Sequence, residues 1–384
     1  MDLLLAISRA LFATAAVGVG AVFALYPLLL LGASIGRRRR RSPPGPPGPP
    51  PAVSLLVAAY NARDLVEAKI RNAFELDYPG EKLEVVFVSD GSRDGTARRI
   101  KAFGDRGVTL VELAENRGKA AALNEGFART RGEVVVFSDV DARIAPDAVR
   151  KLVRHLADPR VGGICGRRVI AELGGLREAQ SRYFALDAAV KRAESRLGRI
   201  TSNDGKLYAI RRELFRPIAP GATDDLYLCL QVVRQGYRFL YEPEAVAFVP
   251  LPSRDAGHEL MRRRRIVSRS LRGIFLAREL LNPFRYGVFA VGLFANKVLR
   301  RLLPVFLATL FATGAVLGLA HPWMLVLLAA QVTFYAAAAL HPLVRHRTTA
   351  LCHYFCVGNL GTLLGLVDFL RRRETVRWEP RKAG

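Results

Sequence analysis

Apolar positions along the chain follow two different patterns. Residues 10–36 carry no charge, and Leu302 to Val344 contain no Lys, Arg, Asp or Glu. Both stretches exceed the roughly 20 apolar residues that cross a bilayer as a helix. Between them, from Val53 to Val136, short runs of β-branched and aromatic residues alternate with segments of helical periodicity. The pattern therefore predicts an α/β domain with membrane helices on both sides of it.

The alternating region predicts a mostly parallel, doubly wound sheet, because strands and helices follow one another in turn. The predicted strands are Val53–Ala58, Leu83–Val88, Val108–Val111, Val134–Phe137 and Val161–Val169. The predicted helices are Asp64–Phe74, Thr96–Ala102, Gly118–Arg129, Pro146–Leu156 and Arg177–Arg196.

The apolar stretches predict an anchor at the amino terminus and more helices at the carboxyl terminus. Arg37–Arg41 follow the first stretch where a signal peptide would have its small-residue cleavage site, so an uncleaved anchor is favoured. His321-Pro322 divides the second stretch into two helices. A third stretch, Thr348–Val367, contains several polar and glycine residues. It predicts either a full span or a re-entrant or interfacial helix.

The formal net charge of +24 invites a nucleic-acid partner, but the position of the arginines argues against one. The densest runs adjoin the apolar stretches: Arg37–Arg41, Arg262–Arg265, Arg300–Arg301 and Arg371–Arg373. This arrangement is typical of the positive-inside rule and of contact with anionic membrane lipids. It places the region after the first helix in the cytosol. The four cysteines predict no disulfide framework there.

Polar residues follow the predicted strands at the points where they end. Asp90 follows the run Val85–Ser89, and Asp139-Val-Asp141 follows Val134–Ser138. The carboxyl ends of strands are where open α/β sheets bind ligands. Two carboxylates one residue apart can hold Mg²⁺ or Mn²⁺ against diphosphate oxygens. The loop after Asp90 begins like an EF-hand, but Lys101 stands where the calcium-binding Glu is required, which excludes that interpretation.

Four motifs in this order resemble the family 2 glycosyltransferases. They are Val53-Ser-Leu-Leu-Val-Ala-Ala-Tyr-Asn61, Val85-Val-Phe-Val-Ser-Asp-Gly-Ser-Arg-Asp-Gly-Thr96, Glu115-Asn-Arg-Gly-Lys-Ala-Ala-Ala-Leu-Asn-Glu-Gly126 and Val134-Val-Val-Phe-Ser-Asp-Val-Asp141. The resemblance covers residues 52–256 and implies a Rossmann-like GT-A fold that uses nucleotide-diphosphate sugars.

The resemblance also implies roles for individual residues on the donor side. Ala59, Tyr60, Asn61 and Asp90 match positions that line the nucleotide pocket, and Asp139 matches a position shared by the nucleotide and the metal. Lys119 matches a basic contact near the nucleotide. A lysine beside a glycine at a helix start is well placed for an anion. For Tyr60 and Asn61, ordinary turn chemistry is the alternative.

On the acceptor side, Thr223-Asp224-Asp225-Leu226 matches the acidic pair that precedes a helix in the family. Asp225 matches the member that takes the proton from the acceptor hydroxyl, and Asp224 stands where Glu is commoner. Helix capping is the alternative explanation for both carboxylates. Gly205 matches a glycine that permits close approach of the sugar.

The chain departs from the processive polymer synthases of the family. Their Gln-X-X-Arg-Trp motif is replaced by Arg262-Arg-Arg-Arg265-Ile266. Arg262 and Arg265 can still offset the charge of a diphosphate, but the tryptophan that stacks on the acceptor sugar is absent. This departure puts processive polymerisation in doubt and leaves single transfer possible.

The predicted organisation has six parts. They are a transmembrane anchor (1–36), a basic and Pro-rich linker (37–51), a cytosolic GT-A domain (52–256), amphipathic interfacial helices (257–300), transmembrane helices (301–370) and a basic tail (371–384).

The predicted function is that of an inverting, metal-dependent glycosyltransferase in a bacterial inner membrane. The donor is predicted to be a UDP-sugar and the acceptor a growing polysaccharide or a lipid-linked glycan. Proteins that assist synthesis or export of the glycan are further candidate partners. Two alternatives remain: transfer to polyprenyl phosphate, and an inactive nucleotide-binding scaffold. The presence of Asp139, Asp141 and Asp225 argues against the scaffold.

Overall fold

The computed structural model describes residues 2–35, 49–170, 176–250 and 255–373. The Arg37–Arg41 cluster, most of the Pro43–Pro51 spacer and the tail beyond Arg373 lie outside the described residues. Cα proximity divides the chain into two compact units. We call the described residues 2–32, 255–271 and 281–373 the helical unit. The sheet unit consists of the described residues 33–35, 49–170, 176–250 and 272–280.

The helices are α1 (Asp2–Gly20), α2 (Tyr26–Ile35), α3 (Arg63–Phe74), α4 (Thr96–Lys101), α5 (Lys119–Phe127), α6 (Ala148–Val153), α7 (Leu176–Arg196), α8 (Asp224–Arg234), α9 (Ala256–Leu276), α10 (Pro283–Tyr286), α11 (Val288–Leu293), α12 (Leu303–Gly318), α13 (Trp323–Leu340) and α14 (Arg347–Leu370). The strands are β1 (Val53–Ala59), β2 (Leu83–Asp90), β3 (Val108–Leu113), β4 (Val134–Ser138), β5 (Arg143–Ile144), β6 (Val161–Ile170), β7 (Leu207–Arg211) and β8 (Arg238–Val249).

The sheet unit is built on one mixed sheet of strand order β3-β2-β1-β4-β7-β6-β8-β5. β1, β2, β3 and β4 run parallel to one another, whereas β7 pairs antiparallel with both β4 and β6. The predicted α/β fold with a mostly parallel sheet is confirmed, and each predicted strand begins at its predicted residue. The parallel pairing gathers the ends of β1, β2 and β4 at one edge of the sheet.

The central strands are buried on both faces, which explains their continuous apolar sequences. Every residue of β1 and of β4 is buried. Phe137 on β4 stacks on Tyr208, its cross-strand partner on β7, with ring centroids 4.7 Å apart. This packing fixes the position of β7 beside the strand that leads into Asp139.

Gly91 allows two loops at this edge to approach each other. Its φ is +63°, and a Cβ on Gly91 would lie 2.3 Å from the carbonyl carbon of Glu115 and 2.4 Å from the backbone nitrogen of Asn116. The Gly91 N–H donates to the carbonyl oxygen of Leu113 at 3.1 Å. The loop before α5 is therefore held directly against the end of β2.

We expect Gly91→Ala to destabilise the protein much more than Gly95→Ala. Both glycines have positive φ, which costs a residue with a Cβ about 1–2 kcal/mol. Only Gly91 adds a clash with backbone, and such overpacking costs about 1–3 kcal/mol more. Thermal unfolding of the full chain in detergent measures the difference. Equal melting temperatures for the two variants would contradict the close approach at Gly91.

The described residues include four helical segments that are long and apolar enough to cross a membrane: Asp2–Ala33, Val288–Gly318, Trp323–Leu340 and Arg347–Leu370. The second segment begins earlier than the apolar stretch that starts at Leu302. It includes residues 288–300, the last part of the region 257–300 for which the sequence predicts interfacial helices. The fourth contains the weaker predicted stretch Thr348–Val367.

In the helical unit, α9 packs closely against glycines of α14. A Cβ on Gly361 would lie 2.8 Å from the carbonyl oxygen of Leu260, and one on Gly365 would lie 2.5 Å from that of Arg264. Arg264 also donates from Nε and Nη2 to the carboxylate of Asp368, at 2.5 and 2.8 Å. A carboxylate near the end of a candidate membrane span is thus paired with a cation, as its burial requires.

Candidate functional site

Asp90 fixes the loop that precedes α5. Its carboxylate is fully buried and accepts hydrogen bonds from the backbone N–H groups of Arg117, at 2.9 Å, and Gly118, at 2.8 Å. Burial raises the pKa of Asp90, and these two N–H groups oppose the increase by stabilising the anion. The structure thus gives Asp90 a role in positioning Lys119. Its contact with a nucleotide base stays a prediction.

Ala59, Tyr60 and Asn61 leave the end of β1, beside the loop that follows β2. Ala59 is buried, and Tyr60 and Asn61 are partly exposed. The N–H of Asn61 donates to the hydroxyl of Ser92 at 3.1 Å, and the N–H of Arg93 donates to Oδ1 of Asn61 at 3.0 Å. Asn61 therefore joins the loop after β1 to the loop after β2 by hydrogen bonds. A role of these three residues in binding a nucleotide stays a prediction.

The predicted carboxylates and Lys119 meet in a chain of alternating charges. Nζ of Lys119 lies 2.7 Å from Oδ1 of Asp139 and 2.9 Å from Oδ2 of Asp224. Nζ of Lys206 lies 2.9 Å from Oδ2 of Asp139 and 2.8 Å from Oδ1 of Asp141. We call these five residues the charge chain. It begins with Asp224 at the start of α8 and ends with Asp139 and Asp141 after β4, which are bridged by Lys206, the residue before β7.

The surroundings of Asp139 and Lys119 favour the charged form of both side chains. Burial by itself would raise the pKa of Asp139, but the ammonium groups of Lys119 and Lys206 outweigh it and hold that pKa well below its usual range. Burial would likewise lower the pKa of Lys119, and the carboxylates of Asp139 and Asp224 raise it above its usual value. Each charge is therefore balanced by its neighbours.

The carboxylates of Asp139 and Asp141 suit a divalent cation whose remaining ligands come from a substrate. The described residues contain no group of three or more His, Cys, Asp or Glu side chains arranged to hold a metal ion. Mg²⁺ is usually bound by one or two protein carboxylates together with substrate phosphates and water. The two carboxylates contact one ammonium group and match that share of the ligands in kind and number, and their binding of a cation stays a prediction.

Asp225, at the start of α8, lies beside the predicted acceptor residue Gly205. Its Oδ2 is 3.5 Å from the place where a Cβ on Gly205 would lie, and its backbone oxygen accepts from Nδ2 of Asn203 at 3.0 Å. Burial and the nearby carboxylate of Asp224 raise the pKa of Asp225 to about 6. The structure therefore brings Gly205 and Asp225 together and leaves Asp225 able to take up a proton near neutral pH.

The carboxylate of Asp224 contacts side chains of two other elements, whereas that of Asp225 accepts from the backbone of its own helix. Besides its ion pair with Lys119, Asp224 accepts a hydrogen bond from the hydroxyl of Tyr208 at 3.3 Å. Asp225 accepts from the backbone N–H of Leu226, at 2.7 Å. Asp224 thus links α8 to the charge chain, and Asp225 is the carboxylate of the pair that lies next to Gly205.

Two lysines of this region are absent from the predicted site. Lys206 belongs to the charge chain, and Lys69 on α3 is buried behind it. Nζ of Lys69 donates to Oγ of Ser138 at 2.8 Å and to the carbonyl oxygen of Ala142 at 2.5 Å. Burial lowers the pKa of Lys69 to about 7. Its sequence signal is its place on the apolar face of α3, three residues after Val66.

Arg262 and Arg265 lie on α9, in the helical unit. Arg262 donates to both carboxylate oxygens of Glu259, at 2.9 and 3.0 Å. Glu259 is buried and also accepts from Nε of Arg263 at 2.7 Å. The guanidinium of Arg262 is thus held by a carboxylate one turn away. Contact of Arg262 or Arg265 with a diphosphate stays a prediction.

Known proteins resemble the chain in both sequence and structure. The profile of the family described as Glycosyl transferase family 2 matches residues 54–218, a region that ends just before Asp224. An N-acetylglucosaminyltransferase of Rhizobium meliloti is 30% identical over 323 residues, which are 76% of this chain and 72% of the relative. A poly-beta-1,6-N-acetyl-D-glucosamine synthase of Staphylococcus aureus is 29% identical over 215 residues, 53% of this chain and 51% of the relative. The chain thus spans about half the length of such synthases.

A solved structure resembles the chain over nearly its full length. It is a mannosyltransferase from Pyrobaculum calidifontis in complex with GDP-Man and Mn²⁺. The two proteins are 28% identical, with a TM-score of 0.69, and the likeness covers 95% of this chain and 100% of the mannosyltransferase. The predicted GT-A fold is thereby confirmed.

Proposed function

Because the chain belongs to glycosyltransferase family 2, we propose that it is a membrane-anchored glycosyltransferase. Its donor is a nucleotide-diphosphate sugar, and its acceptor is a growing polysaccharide or a lipid-linked glycan. The observation that carries this proposal is the charge chain at the ends of the parallel strands. It links the two carboxylates suited to a cation with the acidic pair beside Gly205.

On the donor side, Asp139 and Asp141 would hold Mg²⁺ or Mn²⁺, which when bound offsets the charge of the departing diphosphate. Lys119 fixes the distance between Asp139 and Asp224 by contacting both. Asp90 fixes Lys119 in turn through the backbone of the loop before α5. These contacts prepare the site electrostatically before a substrate enters.

On the acceptor side, Asp225 is the general base. The acceptor oxygen attacks the anomeric carbon from the face opposite the diphosphate, and the bond from that carbon to the diphosphate breaks as the new one forms. Asp225 receives the proton of the attacking hydroxyl. One displacement inverts the configuration of the anomeric carbon. Gly205 leaves space beside Asp225 for the acceptor sugar.

The donor is a UDP-sugar, and UDP-N-acetylglucosamine is the first to test. The names of two relatives carry N-acetylglucosamine, whereas the mannosyltransferase was solved with GDP-Man. Purified full chain in detergent should release free nucleotide from one donor of a panel that includes both. A lipid-linked glycan, a polysaccharide fragment and polyprenyl phosphate serve as alternative acceptors. If no combination of donor and acceptor releases free nucleotide, the proposed activity is wrong.

We propose that the protein is integral to the plasma membrane of a bacterium, with its sheet unit in the cytosol where nucleotide sugars are made. The candidate membrane spans and the arginine runs that adjoin apolar stretches support this location. Membrane lipids are therefore among its partners. The arrangement also suits a protein that passes its product to synthase or export partners.

We expect a cysteine introduced by Gly45→Cys to face the cytosol, because it follows Arg37–Arg41. In bacterial cells, a membrane-impermeant maleimide should label it only after the inner face of the membrane is opened. Asp2→Cys, on the other side of the first span, is the matched control and should be labelled in intact cells. The unsubstituted chain measures labelling of its four native cysteines. Labelling of Gly45→Cys in intact cells would overturn the orientation.

A further inference from the structure

The ammonium group of Lys206 lies between the two carboxylates proposed to hold a cation. Its Nζ is 2.9 Å from Oδ2 of Asp139 and 2.8 Å from Oδ1 of Asp141. Oδ1 of Asp139 is already engaged by Lys119, so a divalent cation bound through Oδ2 of Asp139 and Oδ1 of Asp141 would lie where the ammonium group lies. The positive charges of the cation and of the ammonium group would repel each other strongly if both lay between these oxygens. Lys206 and the cation therefore compete for one position.

The backbone of Lys206 is fixed, while its side chain is able to leave. The carbonyl oxygen of Lys206 accepts a hydrogen bond from Oγ of Ser138 at 2.9 Å, and Ser138 accepts from the buried Lys69 at 2.8 Å. The side chain of Lys206 is 22% exposed, so it has a route towards solvent. A lysine has a flexible four-carbon stem, which allows its ammonium group to move without the backbone.

We propose that Lys206 is a built-in counter-ion that occupies the cation position between Asp139 and Asp141 until the donor arrives. This inference rests on the proposed function and deepens it. The diphosphate of the donor brings negative charge and oxygen ligands, which bind the cation and attract the displaced ammonium group. The cation therefore enters together with the nucleotide, and the two carboxylates are never left without a positive partner.

Mn²⁺ binding to the full chain in detergent tests this role, with free Mn²⁺ measured by electron paramagnetic resonance. The unsubstituted protein should bind Mn²⁺ weakly alone and more tightly with UDP or GDP. Lys206→Met should bind Mn²⁺ alone about tenfold more tightly than the unsubstituted protein, a coupling of ordinary size between two sites. The nucleotide should then add much less. If the methionine variant is unstable, Lys206→Gln removes the same charge and keeps a hydrogen-bond donor.

Two controls separate this role from a general effect of charge. Lys206→Arg keeps the positive charge and should retain weak binding of Mn²⁺ alone. Lys101→Met removes one charge from an exposed position on α4 and should behave like the unsubstituted protein.

The outcomes distinguish the counter-ion role from the proposed function. If nucleotide strengthens Mn²⁺ binding to the unsubstituted protein but Lys206→Met binds Mn²⁺ alone no more tightly, the counter-ion role is wrong and the cation site stands. If Mn²⁺ binds to neither protein, with or without nucleotide, both the counter-ion role and metal-dependent transfer are wrong.

Discussion

Asp225→Asn is expected to lower the rate of sugar transfer by about 10²–10⁴-fold, which is the usual contribution of a general base. The substitution keeps the size of the side chain and an oxygen that can accept from the backbone N–H of Leu226, so it separates chemistry from folding. Donor binding, measured by thermal stabilisation with UDP or GDP and Mn²⁺, should be retained. Asp224→Asn should be milder, because Asp224 contacts Lys119 and Tyr208 and is not the proposed base.

The pH profile of the unsubstituted enzyme gives a second measurement of the same residue. Because burial and Asp224 raise the pKa of Asp225 to about 6, the base is ionised above that pH and protonated below it. We expect kcat/KM to fall as the pH decreases through about 6, since this constant reports the free enzyme. Near-normal turnover by Asp225→Asn would refute the assignment. Asp204, buried beside Gly205, would then be the next carboxylate to test.

A second large effect is expected on the stabilisation of the protein by nucleotide. We expect Asp141→Ala to abolish the part of the stabilisation by UDP or GDP that depends on Mn²⁺ or Mg²⁺. At a concentration of 100 times its dissociation constant, a ligand stabilises a protein by about 2.7 kcal/mol, so the loss is measurable as a lower melting temperature. The side chain of Asp141 is only 11% exposed and contacts Lys206, so the variant is expected to have a lower melting temperature of its own. The shift that nucleotide causes is therefore measured from the melting temperature of Asp141→Ala without ligand.

Two controls test whether the metal-dependent stabilisation depends on the carboxylate of Asp141. Asp105→Ala removes an exposed carboxylate elsewhere in the sheet unit and should retain the full metal-dependent stabilisation. A chelator should reproduce the effect of Asp141→Ala in the unsubstituted protein. Equal stabilisation by nucleotide in the presence of chelator and of Mn²⁺ would count against any role of a cation at Asp139 and Asp141.

Local sequence was sufficient to predict the four parallel strands β1 to β4 and the polar residues at the ends of β2 and β4. The strands β1, β2 and β4 are mostly apolar, with Ser54 and Glu84 near the starts of β1 and β2, and Asp90 and Asp139 stand where the apolar runs end. Burial of both faces requires that composition, so the pattern and the fold have the same cause. The apolar stretches likewise indicated the candidate membrane spans by length alone.

Lys206 could not be placed in the same way. Its contact with Asp139 depends on the antiparallel pairing of β7 with β4, two strands about 70 residues apart in the chain. No periodicity near Gly205 indicates which strand β7 will join. The ion pair of Arg262 with Glu259 is easier to predict from the sequence, because residues three apart on a helix face each other.

The antiparallel pairing of β4 and β7 has a consequence for the construction of chimeras. The two strands are in register from Val134 opposite Arg211 to Ser138 opposite Leu207. They share the stacked pair of Phe137 and Tyr208. The donor-side carboxylates Asp139 and Asp141 thus follow one strand of a two-stranded ribbon, and Gly205 precedes the other. Recombining this protein with a relative to change its acceptor would succeed only if both strands came from the same parent.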